Sequence, residues 1–112
     1  MTSPDVEAPP PGGNPGGGDA RLDPLLLDPT RLSIMAALAG LEWAEFAFVR
    51  DSTGVTDSTL SKRISQLVDA GFVEVRKGHV GKRPRTWLNL TTDGRTALRA
   101  HIARLQEIAA NL

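Results

Sequence analysis

The spacing of the apolar residues changes at Gly71, and this change limits the folds open to the chain. Before Gly71, apolar residues recur every three or four positions, as on a helix with one buried face: they are Leu60, Ile64, Leu67 and Val68. After it, two short runs follow the two-residue period of β-strands: they are Phe72, Val73 and Val75, then Trp87, Leu88 and Leu90. The pattern predicts a mainly helical α+β protein with one small β-hairpin.

Capping residues and glycines place four helices around this hairpin. Asp28, Thr56 and Thr91 each precede a helical pattern, where a side-chain oxygen can accept from the free N–H groups of the first turn. Glycines at 40, 54 and 71 follow the first three patterns and favour helix ends there. The predicted helices cover residues 29–39, 44–52, 57–70 and 92–111, which gives the order α-α-α-β-β-α. A short turn between the second and third helices makes them a helix-turn-helix.

Proline, glycine and charge are unevenly distributed along the 112 residues. Residues 1–20 hold five of the eight prolines and five of the 11 glycines, so we predict a disordered tail there and one domain over residues 21–112. The chain has 13 basic and 13 acidic residues, yet residues 58–86 contain seven basic residues and two acidic ones. A cluster of positive charge of this kind suits an anionic partner.

The third helix has a polar face opposite its apolar stripe. This face carries Ser58, Thr59, Lys62, Ser65 and Gln66, with Ser61 and Arg63 at its flanks. Hydroxyl and amide groups can read base edges in DNA, and the flanking residues can contact phosphates. The alternative is an ordinary solvated helix face. Such a face would favour Glu, Lys and Gln over the weak helix formers Ser and Thr, so the composition favours DNA recognition.

A basic loop is predicted between the two strands, over residues 77–85. Its cations are Lys77, Lys82, Arg83 and Arg85, and Pro84 stiffens it. A rigid positive loop beside a helix-turn-helix suits the sugar-phosphate backbone or the adjacent minor groove. The third helix and this loop together predict an interface for double-stranded DNA.

Six short sequence runs are shared with a known family. The most specific is Gly81-Lys82-Arg83-Pro84-Arg85-Thr86. The others are Leu22-Asp23-Pro24-Leu25, Asp28-Pro29-Thr30-Arg31-Leu32, Thr56-Asp57-x-x-Leu60-Ser61, Leu67-x-x-Ala70-Gly71-Phe72-Val73 and Leu90-Thr91-x-x-Gly94. Through these runs, residues 22 to about 108 resemble the winged-helix regulators of bacteria and archaea, most closely the compact branch of the MarR/ArsR-like superfamily. The resemblance implies a homodimer on pseudo-palindromic DNA, with the third helix in the major groove and the hairpin, or wing, alongside.

The last helix has heptad spacing that predicts a contact between subunits. Leu98, Ile102, Leu105 and Ala109 are separated by four, three and four residues. We expect them to form the dimer interface with help from Leu25, Leu26, Leu27 and the first helix. The alternative is that this short seam packs within its own domain. His101, one residue from the seam, is expected at the interface or on the surface.

Several other classes of function find little support in the sequence. The chain has no cysteine and two separate histidines, so we expect no structural zinc site, no other metal and no cofactor. No grouping of catalytic residues predicts an enzyme. The absence of a long apolar run and of an N-terminal signal pattern predicts a cytoplasmic protein. The sequence leaves room for a small-molecule effector pocket between the first and last helices but offers no pattern in its support. A protein-binding winged helix without DNA affinity remains the competing interpretation.

Overall fold

The computed structural model describes residues 21–112, and the predicted tail lies outside the described residues. A short 3-10 turn, Pro24–Leu27, leads into helix α1, Pro29–Ala39. Strand β1, Ala44–Glu45, precedes α2, Phe46–Thr53, and α3, Asp57–Asp69. Strands β2, Val73–Val80, and β3, Arg83–Leu90, form the hairpin, and α4, Thr92–Ala110, ends the chain. The α+β class, the four helices and the hairpin are confirmed.

The predicted caps form three of the helix starts. Asp28 accepts a hydrogen bond from the Arg31 N–H at 2.9 Å, and Thr56 accepts one from the Thr59 N–H at 3.2 Å. Thr91 does the same for the Gly94 N–H at 2.9 Å. Each cap supplies a partner to a backbone donor that the helix leaves free, so helix starts could be predicted from local sequence.

The sheet has three strands where the sequence predicts two. Strand β1 pairs antiparallel with β3, Ala44 opposite Leu88 and Glu45 opposite Trp87, giving the order β1-β3-β2. The prediction of a helix from Ala44 was therefore wrong by two residues. Pairing with a strand more than 40 residues away decides the conformation of Ala44 and Glu45, and local pattern carries no information on such a partner.

The hairpin is longer and its turn tighter than predicted. Val80 is opposite Arg83, so only Gly81 and Lys82 form the turn, and the prediction of a loop over residues 77–85 was wrong. Gly81 has a φ of 63°, which a two-residue hairpin turn with glycine in first place requires. Ladder hydrogen bonds outweigh the low strand preference of Lys77 and Gly78, so most of the basic segment is held in two paired strands.

One core lies between the helices and the inner face of the sheet. Its buried members are Leu26, Ile34, Met35, Leu38, Ala44, Val49, Leu60, Ile64, Leu67, Val73, Leu88, Leu90 and Leu98. The stripe of α3 is thus confirmed at three of its four positions, whereas Val68 is exposed. Val68 lies at the edge of the stripe, facing a groove described below.

Helix α4 is buried along its first half and exposed along its second. Leu98 is 5% exposed and His101 1%, whereas Ile102 and Leu105 are 38% and 37% exposed. The expectation of a surface or interface histidine was wrong. The Nδ1 atom of His101 accepts a hydrogen bond from the Asp23 N–H at 3.0 Å, which allows a polar ring to be buried.

Two of the seven residues predicted to form the dimer interface lie in the hydrophobic core of the chain itself. Leu26 and Leu98 are buried against its own helices and strands, so neither presents a surface to a partner. Leu25 is partly buried against the same core. The exposed members of the predicted interface are Leu27, Ile102, Leu105 and Ala109. None of the described helices combines the length and apolar composition needed to span a membrane.

Candidate nucleic-acid interface

Helix α3 presents a narrow face of small polar residues to solvent. Leu60, Ile64 and Leu67 hold its other side in the core. The exposed members of the predicted DNA-reading face are Ser58, Ser61, Lys62 and Ser65. Thr59 is half-buried, and its hydroxyl accepts a hydrogen bond from the Thr56 hydroxyl at 3.0 Å. This face combines hydroxyl groups with one long cation, Lys62, and has no bulky side chain.

Two predicted DNA-binding residues of α3 face the protein instead. The amide oxygen of Gln66 accepts a hydrogen bond from Nη1 of Arg31 at 2.8 Å. Nε of Arg63 lies 3.4 Å from a carboxylate oxygen of Asp28, an ion pair whose geometry leaves that N–H without a hydrogen bond. Both side chains are half-buried against the start of α1. The helical spacing that predicts Gln66 on the polar face and Arg63 at its flank carries no information on that neighbour.

The hairpin carries its cations along both strands and the turn. Lys77 on β2, Lys82 in the turn and Arg83 on β3 are exposed, and none of them forms an ion pair among residues 21–112. Arg85 is half-buried, with Nε 3.3 Å from a carboxylate oxygen of Glu45 on β1. The four cations therefore differ: within residues 21–112, Arg85 is held by a carboxylate and the other three form no ion pair.

Arg76 is a hairpin cation that the site prediction omitted. Its guanidinium carbon lies 4.0 Å from the centre of the Trp43 ring, a cation–π contact. Trp43 adopts a φ of 52°, unusual for a residue with a side chain. The contact ties the loop before β1 to β2, and a sequence pattern could not have paired residues 33 positions apart.

A groove of about 610 Å³ joins the exposed face of α3 to the hairpin. Ser61 and Ser65 line it from the helix, with Asp57 and Asp69 at the two ends of that helix, and Lys77 and Thr86 line it from the strands. Its apolar lining comes from Phe46, Ile64, Val68, Val75 and Leu88. Because one groove is lined by both elements, the helix hydroxyls and the hairpin cation Lys77 belong to one continuous surface.

A small charge cluster fixes the turn of the helix-turn-helix. Arg50 on α2 donates to Asp57, at the start of α3, at 2.9 Å and to its neighbour Asp51 at 3.0 Å. The bond to Asp57 and then the bond to Asp51 raise the pKa of Arg50 above its ordinary value. Gly54, with a φ of 72°, provides the left-handed residue at the end of α2. The two helices are thereby joined by side chains as well as by the turn.

The arrangement belongs to a known class of DNA-binding fold: a helix-turn-helix whose second helix presents a polar face, followed by an antiparallel hairpin. A family described as winged helix DNA-binding domain matches residues 30–109, and the chain belongs to that family. The resemblance to winged-helix regulators is therefore confirmed. A family of DNA-binding proteins also fits the prediction that the chain is not an enzyme.

Three known proteins illustrate the similarity. An uncharacterized protein of Methanocaldococcus jannaschii is 32% identical over 82 residues, which cover 73% of this chain and 89% of that one. A transcriptional regulator homologue from Pyrococcus horikoshii has a similar structure, with a TM-score of 0.72, 26% identity, and coverage of 78% and 86%. The regulator MosR of Mycobacterium tuberculosis, in a structure with DNA, has a TM-score of 0.64 at 23% identity, over 79% of this chain and 62% of that one.

Proposed function

We propose that this protein is a sequence-specific transcriptional regulator that binds double-stranded DNA as a homodimer. Helix α3 enters the major groove, and the hairpin contacts the sugar-phosphate backbone or the minor groove beside it. The observation that carries the proposal is the groove in which Ser61 and Ser65 of α3 meet Lys77 of the hairpin. It puts potential base-reading and phosphate-binding groups on one surface.

The side chains of α3 suit base recognition, and those of the hairpin suit phosphate binding. Ser58, Ser61 and Ser65 are short donors and acceptors, so α3 can approach base edges closely, and Lys62 has the reach to contact a guanine. The hairpin cations Lys77, Lys82 and Arg83 are unpaired among the described residues and suit phosphates, which carry no sequence information. Arg85 joins them by exchanging the Glu45 carboxylate for a phosphate.

The homodimer is proposed to form through the exposed half of α4. Ile102 and Leu105 continue the apolar face of Leu98, since Leu105 follows it by two helical turns, but burial ends at His101. A second copy of α4 would cover this face, with Leu27 and Ala109 at its margin. Symmetry would then place two α3 helices about 34 Å apart, the spacing of successive major grooves on one face of DNA.

Fluorescence anisotropy with labelled duplexes, over a range of salt concentrations, tests the proposal. If the four hairpin cations of each chain in the dimer contact phosphates, the logarithm of the association constant should fall with the logarithm of salt concentration at a slope of about −7. Sedimentation of the free protein and of the complex gives the number of chains. Absence of duplex binding at low salt would refute the DNA function, and a monomer on the bound duplex would refute the dimer. Binding to an acidic protein with no duplex binding would support the protein-association alternative instead.

A further inference from the structure

The segment before and into α1 is tied to helix α3 by side chains that the DNA proposal does not use. Arg31 donates through Nη1 to the Gln66 amide oxygen at 2.8 Å and through Nε to the Leu25 backbone oxygen at 2.6 Å. Asp28 and Arg63 form a second link to α3. One guanidinium therefore joins three elements: the 3-10 turn, α1 and α3.

The guanidinium group makes this link rigid. Its N–H groups lie in one plane with fixed directions, so an acceptor at Nε and another at Nη1 fix each other's position. The contacts are partly buried, which reduces competition from water and strengthens hydrogen bonds to a charged donor. A lysine at this position would keep the charge but lose the paired geometry.

The same contact changes the role expected of Gln66. A glutamine that reads adenine uses its amide oxygen and its amide nitrogen together on the base edge. Here the oxygen is held by Arg31, on the protein side of α3. Gln66 is thus placed to fix the rotation of α3 about its own axis. That rotation sets the direction in which the exposed residues of the helix point: Ser58, Ser61, Lys62 and Ser65.

The segment is also linked to α4. The Asp23 N–H donates to Nδ1 of the buried His101, and the Leu26 side chain lies in the core. The turn is therefore linked through Asp23 to the helix proposed to form the dimer and, through the Leu25 carbonyl and Arg31, to the helix proposed to read DNA.

We infer that Arg31 is a positioning residue for DNA recognition, acting through Gln66, and that Gln66 itself reads no base. The inference rests on the proposed DNA function. It assigns specificity partly to a contact on the side of α3 that faces α1.

Three single variants and one double variant test the inference. Arg31→Lys retains the charge, and Gln66→Met retains the length and helix preference of the side chain. Arg95→Lys is the matched control, since Arg95 also bridges elements, donating to the Ala39 and Leu41 carbonyl oxygens at 2.9 and 3.2 Å, and its hydrogen bonds within residues 21–112 do not involve α3. Each full-length variant is first shown by thermal melting to be folded at the assay temperature.

The measured quantity is the ratio of affinities for a duplex selected by the wild-type protein and for a random duplex at the same salt concentration. Arg31→Lys and Gln66→Met should each lower this ratio about tenfold, and the double variant should lower it no further, because both disrupt one contact. Random-duplex affinity should stay within about twofold of wild type, because Arg31→Lys keeps the charge and Gln66 carries none. Arg95→Lys should leave the ratio unchanged.

Amide hydrogen exchange provides a readout that does not depend on DNA. Arg31→Lys and Gln66→Met should both accelerate exchange in the second half of α3, and Arg95→Lys should not. If hydrogen exchange in α3 were unchanged in both variants, the inference that the Arg31–Gln66 contact positions α3 would be wrong. A loss of preference at one base pair in Gln66→Met, with specificity retained in Arg31→Lys, would show that Gln66 reads a base and overturn the inference. Failure of the wild-type protein to bind any duplex would refute the proposed function and, with it, the role of Arg31 in recognition.

Discussion

Helix α3 and the second half of α4 both present exposed faces, and the two faces differ in chemistry. The face of α3 is built from serines and one lysine, whereas that of α4 is built from Ile102, Leu105 and Ile108. Serine hydroxyls exchange water for a polar partner at little cost, but exposed aliphatic side chains gain only by leaving water. This difference is the basis of the two proposed contacts, a hydrated polyanion for α3 and an apolar protein surface for α4.

The largest expected effect separates the two halves of α4. Leu98→Ala should lower the free energy of unfolding by about 2–5 kcal/mol, since Leu98 is buried and its loss leaves a cavity. Leu105→Ala, in the exposed half, should cost less, and its cost should grow with protein concentration if a second chain covers it. Urea denaturation at two protein concentrations measures both. If both variants lost the same unfolding free energy, at both protein concentrations, the distinction between the buried and exposed halves of α4 would be wrong.

A charge in the exposed half of α4 should weaken association. Leu105→Asp puts a carboxylate on the face proposed to meet a second copy, so the dimer dissociation constant should rise about 10- to 100-fold by the desolvation cost of an unpaired charge. The matched control is Ala103→Asp, which adds the same charge at an exposed position on the opposite side of the helix. Analytical ultracentrifugation reports both constants. A similar change in the two variants would show that charge alone, rather than the apolar face, governs association.

The smallest expected effects are those of single substitutions in the DNA interface, which should differ between α3 and the hairpin. Lys62→Ala should cost about 1–3 kcal/mol on the selected duplex and relax preference at one base pair, if Lys62 reads a base. Lys82→Ala, at the exposed hairpin turn, should weaken binding to all duplexes by severalfold and reduce the steepness of the salt slope by about 1.8, because the dimer carries two copies of Lys82. Selection of bound sequences, with salt titrations for each variant, measures both. If the two variants had the same sequence preference and the same salt dependence, α3 and the hairpin would not have the separate roles of base recognition and phosphate binding.

The parts of this fold that could be predicted from sequence are those set by nearby residues. The caps at Asp28, Thr56 and Thr91 and the stripe of α3 follow from spacings of three or four positions, so their prediction was confirmed. What the sequence did not indicate depends on distant partners. The extended conformation of Ala44 depends on Leu88, and the burial of His101 on the Asp23 N–H.

The candidate site shows the same limit. The position of α3 and the presence of a basic hairpin could be predicted, because helix period and strand period are local properties, whereas the place of Lys77 on a paired strand could not. A helical wheel gives the direction of a side chain but not what lies there. The helical period therefore predicts Gln66 on the DNA face, although Arg31 holds its side chain on the protein side. No local pattern indicates that Arg50 joins α2 to α3.

Among residues 21–112, the strand order β1-β3-β2 leaves the eight-residue strand β2 at the edge of the sheet, with its outward-facing backbone N–H and C=O groups unpaired within that part of the chain. An open edge is a template for a strand of another molecule, and Val75 and Val80 on β2 are exposed as well. Arg76 and Lys77 on the same strand oppose such pairing, because like charges would have to meet across it. The positive charge of the hairpin should therefore also limit strand pairing between copies of the protein when no DNA is bound.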